Sequence, residues 1–209
     1  MTIKDLTWNF VGERFAPQIT KENLLLQSGH TKYTGVVFTL HCDGMSGTYI
    51  DFPGHIAETD DGMTAENASP EDFYRIEADV IHLDKKSGEG AVTGEELEKA
   101  LSPSPAAGGR ALILNALGNK NPRDIEGRSV FLDESALDWI IGKGYKLLVS
   151  DSYESKALHG VFLKLFAAGI STICMPVNLF TLPRRVFLTA LFPKIPGVTQ
   201  LPCRVVAEF

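Results

Sequence analysis

The sequence predicts an α/β fold in which a mixed β-sheet is flanked by helices. Between residues 110 and 179, segments typical of strands alternate with segments typical of helices, which favours some parallel strand pairing. The N-terminal half is richer in strand and loop patterns, so the fold should be mixed rather than regularly alternating. The chain has 209 residues, of which 44% are hydrophobic, enough to bury one large core. We therefore expect residues 1–209 to form a single domain.

Two strands and one helix are predicted before residue 102. Residues 36–41 are rich in β-branched side chains and predict a strand, which is followed by a loop rich in Gly, Asp and Ser. Residues 77–84 are typical of a buried strand. The segment 93–101 predicts a helix, because Thr93 is followed three residues later by Glu96, as in a capping box.

The second half begins with a predicted loop over residues 102–109. A helix is predicted over 133–144, with Asp133 as its N-cap and Gly142 or Gly144 at its C-terminus. The other predicted elements are strands at 110–116, 145–151, 170–179 and 201–209 and a helix at 159–169, which ends at a glycine.

Composition excludes several classes of protein. The net charge of -6, the pI of about 5.4 and the absence of a Lys/Arg-rich run argue against a nucleic-acid partner. The longest apolar runs are interrupted by polar residues, Gly and Pro, so no membrane span is predicted. Three cysteines without CxxC spacing indicate neither a zinc knuckle nor a disulfide scaffold. The first residues carry no secretory pattern, so we expect a cytoplasmic protein.

The most informative segment for chemistry is the Gly- and Pro-rich stretch around residues 47–55. It holds Asp51 and His55 four residues apart in a segment that cannot be a regular helix. An Asp and a His brought together can bind a metal ion or act as an oriented acid/base pair. The alternative is an Asp that stabilises a turn and a His that is solvated.

A second group of polar residues, Asp151, Glu154 and His159, follows a predicted strand. Side chains at the carboxyl ends of parallel strands often line ligand sites, although helix capping and a surface histidine explain the same pattern. Cys174 lies inside a predicted strand, where a small buried side chain is the simpler interpretation. We interpret His30, His41 and His82 as structural residues, and Cys42 and Cys203 as small buried side chains that fill the core.

The sequence MSGTYIDFPGH, from Met45 to His55, resembles the motif H-x-G-T-H-x-D-x-P-x-H of the cyclase family. That family includes bacterial kynurenine formamidase, isatin hydrolase and related metal-dependent amidohydrolases. Further matches follow in the same order along the whole chain: DLT at 5–7, a strand ending at Asp151, a histidine before a helix at His159, GISTICMPVNLFTLP and the closing strand LPCRVVAEF. The resemblance implies the family's swivelling β/β/α fold.

This sequence differs from the family motif at positions that bind the metal ion in the family. In the family, two histidines and the aspartate form the main metal site, and Met45 and Tyr49 stand at the two histidine positions here. Thioether and phenol groups are poor ligands for the family's zinc or manganese. Cys174 stands where the family has a glutamate. The resemblance therefore implies either no cofactor or a single divalent metal held by Asp51, His55 and His159.

By resemblance, the protein is a hydrolase acting on a small amide, lactone or lactam. With a metal, the ion would activate water while His55 or His159 moves protons. Without a metal, Asp51 would orient His55 as the base, and Tyr49 and His159 would stabilise the oxyanion. If Cys174 lies beside a histidine, a thiolate–imidazole pair is a further option.

Two other functions remain open at this point. The chain could be a small-molecule-binding protein without activity, or a metal-independent lyase or isomerase on the same fold. The enzyme interpretation requires Asp51, His55 and His159 to meet in one cleft, although about a hundred residues separate the third from the first two.

The resemblance also implies a homodimer or larger homo-oligomer in which the partner subunit closes the pocket. Candidate apolar residues for that contact are Trp8, Phe10, Phe15 and Phe52. The alternative is that these aromatic residues belong to the core of their own subunit.

Overall fold

A nine-stranded mixed sheet forms the centre of the structure, a computed structural model that describes residues 1–9, 17–85, 90–101, 109–120 and 125–209. In chain order the strands are β1 (Ile3–Asp5), β2 (Gln18–Ser28), β3 (Thr31–His41), β4 (Tyr49–Asp51), β5 (Ile76–His82), β6 (Gly90–Val92), β7 (Ala111–Asn115), β8 (Val130–Leu132), β9 (Leu147–Ser150), β10 (Ser171–Cys174), β11 (Arg185–Leu191), β12 (Gln200–Pro202) and β13 (Arg204–Glu208). The helices are α1 (Gly94–Leu101), α2 (Glu134–Gly142) and α3 (Val161–Ala167).

The middle of the sheet is parallel and its two sides are antiparallel. The strand order is β1-β13-β11-β5-β7-β9-β10-β4-β12, and β5, β7, β9 and β10 run in the same direction. The predicted parallel pairing over residues 110–179 is therefore confirmed. On one side β4 pairs antiparallel with β10, and β12 pairs antiparallel with β4. On the other side β11, β13 and β1 follow β5, each antiparallel to its neighbour.

The parallel strands are buried on both faces, which explains their almost uninterrupted apolar sequences. Ile113 and Val149 pack into one core cluster, together with side chains from β4, β11 and β13. Leu112 and Leu148 point the other way, into a second cluster formed with the three helices. The sheet therefore separates a core on its inner side from a helical layer on its outer side.

The predicted strand at 201–209 is divided into two strands that pair at different places. The residues before Cys203 belong to β12, which is at one edge of the sheet. The residues after it belong to β13, which is next to the strand at the other edge. Two hydrogen bonds connect the opposite sides of the sheet near this point: the Val177 backbone, after β10, donates to the Leu6 carbonyl, after β1 (2.9 Å), and the Trp8 backbone donates to Thr48 Oγ1, before β4 (2.7 Å). The sheet is thus curled, and the bend at Cys203 brings its two edges together.

The helix caps agree with the sequence patterns. Thr93 and Glu96 exchange hydrogen bonds before α1, from the Thr93 backbone to Glu96 Oε2 (2.9 Å) and from the Glu96 backbone to Thr93 Oγ1 (3.3 Å). Asp133 accepts from the Ala136 backbone at 2.9 Å before α2. The predicted strand at 170–179 is shorter, because Met175 has a left-handed φ of 57° that ends it at Cys174. Most of the predicted loop, 102–108, lies outside the described residues.

A long two-stranded ribbon projects from the domain, where the sequence predicted only one strand. Strands β2 and β3 pair along eleven residues each, from Gln18↔His41 to Ser28↔Thr31. Every residue of the two strands is exposed except Gly35, which is half-buried. Many of the exposed side chains are apolar. We refer to β2 and β3 as the ribbon.

The aromatic residues that sequence analysis linked to dimer contact have different environments. Phe52 is fully buried in its own subunit and makes edge-to-face contacts with Phe73 and Phe192 at 6.0 and 5.5 Å between ring centroids. It is therefore a core residue and is not available to a partner. Trp8 is half-buried and lines a surface cavity, whereas Phe10 and Phe15 lie outside the described residues.

We expect Phe52→Ala to lower the free energy of unfolding by about 3–5 kcal/mol, because truncation leaves a cavity between two other rings. The exposed Phe187, on β11, provides the control, and Phe187→Ala should cost less than about 1 kcal/mol. Urea unfolding followed by circular dichroism measures both values. Equal losses for the two variants would show that Phe52 does not hold the core.

Candidate functional site

Strand β4 places two polar side chains on the outer face of the sheet. It lies between β10 and β12, with Tyr49 opposite Cys174 and Asp51 opposite both Thr172 and Gln200. Residues paired across adjacent strands, and residues two apart on one strand, share a face. These side chains therefore form one polar group at the sheet edge, while the intervening Ile50 enters the inner core.

Asp51 is at the centre of this group and only 3% exposed. Its Oδ1 accepts a hydrogen bond from the side-chain amide Nε2 of Gln200 at 2.7 Å. Its Oδ2 accepts one from the thiol of Cys174 at 3.6 Å. Burial raises the pKa of the Asp51 carboxyl, since the charged form loses its hydration. These donors oppose that increase and hold the carboxyl group in one orientation.

His55 is exposed and reaches Asp51 through an intermediary. It ends the 3-10 turn Pro53–His55, which follows β4 directly. Its Nε2 lies 3.1 Å from Nε2 of Gln200, the same amide nitrogen that donates to Asp51. Because an amide NH₂ group only donates, the imidazole nitrogen accepts, and the proton of the neutral ring is on Nδ1. Sequence analysis expected Asp51 to orient His55 directly, whereas the structure places Gln200 between them.

Tyr49 and Cys174 form the next hydrogen bond along the same face. Burial raises the pKa of the Tyr49 hydroxyl and of the Cys174 thiol, and the nearby Asp51 carboxylate adds to both shifts. The thiol is therefore protonated and acts as a donor to Asp51. The hydrogen-bond partners of Cys174 are Asp51, Thr172 and Tyr49, so the geometry does not support the thiolate–imidazole pair.

His159 is held by the loop that precedes α3. The buried Glu154 accepts hydrogen bonds from the backbone nitrogens of His159 (2.6 Å) and Val161 (2.9 Å), which fixes the start of the helix. The imidazole Nδ1 lies 3.1 Å from Ser155 Oγ, and the ring packs edge-on against Phe131. The side chain itself is exposed.

Helix α3, which follows His159, packs against the 3-10 turn that carries His55. This packing brings the helix and the turn together. The meeting of Asp51, His55 and His159 in one cleft remains a prediction, because the contacts of His159 are to Ser155 and Phe131.

Asp151 has a structural role at the carboxyl ends of the parallel strands. Its carboxylate accepts hydrogen bonds from the backbone nitrogens of Ala116 (2.8 Å) and Leu117 (3.2 Å) and from Asn115 Nδ2 (2.8 Å). Burial raises the pKa of Asp151 to about 6. The aspartate thereby fastens the loop after β7 to the end of β9.

The residues present do not fit the divalent metal of the resemblance. Met45, Tyr49 and Cys174 offer a thioether, a protonated phenol and a protonated thiol, none of which is a good ligand for zinc or manganese. Within the residues that the structure describes, no group of three or more His, Cys, Asp or Glu side chains is arranged to hold a metal ion. The remaining ligands, Asp51 and His55, share a protein hydrogen-bond donor.

Gln200 is the residue that sequence analysis missed. It lies 149 residues from Asp51 and is placed beside it only by the pairing of β12 with β4. A single sequence shows no pattern for that pairing, because β12 is only three residues long, and the predicted strand at 201–209 began one residue after Gln200. Cys42 was also misjudged, since it is exposed at the base of the ribbon rather than buried.

The family model Cyclase, described as “Putative cyclase”, matches residues 4–155, and the chain belongs to this family. No curated protein matches the sequence. Among solved structures, isatin hydrolase A from Labrenzia aggregata, bound to benzyl benzoate, superposes with a TM-score of 0.72 at 18% identity, covering 99% of this chain and 93% of that one. Isatin hydrolase A from Ralstonia solanacearum gives 0.74 at 17% identity, covering 99% and 91%.

A third structure, titled a potential metal-dependent hydrolase with cyclase activity, gives a TM-score of 0.71 at 20% identity, covering 99% of this chain and 96% of that one. These similarities show that the mixed α/β fold is that of the cyclase family. No helix in the described ranges is long and apolar enough to cross a membrane.

We expect iodoacetamide to modify Cys42 well before Cys174 or Cys203 in the folded protein. Cys42 is exposed, while burial raises the pKa of both other thiols and leaves little of the reactive thiolate. Peptide mass mapping across pH 6 to 9 measures the three rates, and labelling in denaturant provides the control. Labelling of Cys174 as fast as that of Cys42 would contradict the buried, protonated thiol.

Proposed function

We propose that the protein is a hydrolase that opens a small amide, lactone or lactam, and that it does so without a metal ion. The observation that carries the proposal is the hydrogen-bonded set Asp51–Gln200–His55 at the edge of a cyclase-family sheet. The exposed imidazole at the end of this set is accessible to a small molecule. The similar solved structures named isatin hydrolase support hydrolysis as the class of reaction.

In this proposal the two histidines have different tasks. Gln200 donates to Nε2 of His55, so Nδ1–H of His55 is the group that can donate to a carbonyl oxygen as negative charge develops there. A second imidazole, that of His159, accepts the proton of the attacking water and passes it to the leaving nitrogen or oxygen as the carbonyl C–N or C–O bond breaks. Tyr49 keeps its hydroxyl proton, since burial raises its pKa, but its one O–H already donates to the Cys174 sulfur, so the proposal gives Tyr49 no direct contact with the oxyanion. This assignment replaces the earlier expectation that His55 is the base.

We expect His55→Ala and His159→Ala each to lower kcat/KM by about 10²–10⁴-fold, the usual contribution of one acid/base or oxyanion-stabilising group. The substrates to screen are aromatic lactams, N-acyl amides and small lactones, with ring opening followed by absorbance. His30→Ala, at the turn of the ribbon, is the matched histidine control and should retain activity. Full activity in either active-site variant would contradict its proposed role.

Metal dependence is tested in the same assay. Activity that survives prolonged dialysis against a chelator, and is not increased by added zinc or manganese, agrees with the proposal. Loss of activity on dialysis that returns with the metal would overturn the metal-free part of it.

A binding protein without activity is the second candidate, and it is favoured by one observation. Three positions that carry ligands in the family motif are occupied here by Met45, Tyr49 and Cys174. A compound that raises the melting temperature without being converted would support this candidate over the hydrolase.

We also propose that the protein forms a homodimer through the ribbon. Both faces of the ribbon carry exposed apolar residues: Ile19, Leu25, Val36, Phe38 and Leu40 on one face and Leu24, Leu26, Tyr33 and Val37 on the other. A free two-stranded ribbon is marginally stable in water, so these residues need a surface to pack on.

The domain offers such a surface beside the root of the ribbon. Two apolar cavities, of about 740 and 510 Å³, lie on either side of Leu191, and the second is lined in part by Leu40 of the ribbon and by Trp8. A second copy of the chain has the complementary ribbon, and a two-fold axis would allow each ribbon to pack on the partner's cavities at once.

We expect light scattering and sedimentation velocity to show a dimer at micromolar concentrations. The double substitution Val36→Glu and Phe38→Glu puts two charges on one apolar face and should weaken association at least tenfold. Gln27→Glu with Ser28→Glu adds the same charge near the ribbon turn and should leave the dimer intact. A wild-type protein that remains monomeric under these conditions would overturn the proposal.

A further inference from the structure

We infer that the side-chain amide of Gln200 takes the place of a divalent cation between Asp51 and His55. The amide thereby prevents a metal ion from binding at this site. The inference rests on the proposed assignment of this group of residues as the functional site. It does not depend on the reaction that the site performs.

The first support is the position of one nitrogen atom. Nε2 of Gln200 lies 2.7 Å from Asp51 Oδ1 and 3.1 Å from His55 Nε2, so both hydrogens of the amide point at acceptors. A carboxylate oxygen and an imidazole nitrogen are the ligand atoms that zinc and manganese use. The amide presents them with partial positive charge but has no lone pair for a metal. It satisfies the two acceptors in the same space that a bound cation would occupy.

The second support is that the Gln200 side chain is fixed in this orientation. Its strand, β12, pairs with β4 so that Gln200 stands directly opposite Asp51. On the other side is Gly44, where a Cβ atom would lie only 2.9 Å from both the backbone oxygen and Oε1 of Gln200. The amide oxygen therefore packs against the Gly44 backbone, and the nitrogen faces Asp51. A side chain at position 44 would disturb this arrangement.

The third support comes from the other oxygen of Asp51. Oδ2 accepts from the Cys174 thiol at 3.6 Å, and that thiol is in turn hydrogen-bonded to Tyr49. Both carboxylate oxygens thus already have donors from the protein. A cation entering the site would have to displace the Gln200 amide from Asp51 and from His55 together.

The test is to replace the Gln200 amide by a group that can bind a metal ion. Gln200→Glu replaces the NH₂ group by an oxygen and creates a set of two carboxylates and one imidazole from Asp51, His55 and the new side chain. Three protein ligands suffice for a zinc or manganese site. After incubation with zinc and gel filtration, we expect about one equivalent of metal in Gln200→Glu and less than about a tenth in the wild type. Elemental analysis measures the metal content.

Two controls separate the ligand from other effects of the substitution. Gln200→Leu removes the amide without adding a ligand and should remain free of metal. Adding His55→Ala to Gln200→Glu should remove most of the gained zinc. Zinc should also raise the melting temperature of Gln200→Glu and leave that of the wild type unchanged. If Gln200→Glu does not fold, Gln200→His supplies an imidazole at the same place and is read in the same way.

The outcomes distinguish this inference from the proposed hydrolase activity. A wild type that takes up one equivalent of zinc, and loses it on His55→Ala, would overturn the inference whatever the activity. Folded Gln200→Glu and Gln200→His variants that bind no more zinc than the wild type would overturn it as well. Metal gained by Gln200→Glu, in a protein that hydrolyses none of the screened compounds, would support the inference and count against the hydrolase.

Discussion

The three-residue strand Tyr49–Asp51 is the element on which the site depends. It is paired on both sides, so the alternation of its side chains has no freedom to slip by one residue. Ile50 is fixed in the inner core, and this fixes Tyr49 and Asp51 on the opposite face. The pairing partners then supply Cys174 from β10 and Gln200 from β12. A short strand thus determines which polar groups meet, because the core on its other face allows only one register.

Much of the fold could be predicted from local patterns, and the reason is physical. The strands at Ala111–Asn115 and Leu147–Ser150 are buried on both faces and therefore read as continuous apolar runs, and the caps at Thr93 and Asp133 depend on neighbours three residues away. The division of the last strand at Cys203 could not be predicted in this way. It follows from the approach of two edges of one sheet, which depends on contacts between residues far apart in the sequence.

The same distinction applies to the site. Asp51, His55 and His159 could be named from a motif, because each lies in or near a recognisable stretch of sequence. Gln200 could not, since its role comes only from standing opposite Asp51 across a strand pair. The protonation state of Cys174 also needed the structure: burial, and then the neighbouring Asp51 carboxylate, raise the pKa of the thiol, so it keeps its proton. A sequence motif identifies the side chains of the site, whereas the protonation state of each side chain depends on the residues packed around it.

The length of the ribbon gives it a long lever arm about its root. Eleven residues of extended strand span about 35 Å, twice the radius of gyration of about 17 Å typical of a chain this long. A rotation of ten degrees at its root therefore moves its tip by about 6 Å. The root at His41 is separated from the start of the Tyr49 strand by only the segment 42–48, in which Gly44 touches Gln200. A partner that packs on the ribbon would therefore act on the chain only seven residues before Tyr49, in the segment that also contacts Gln200.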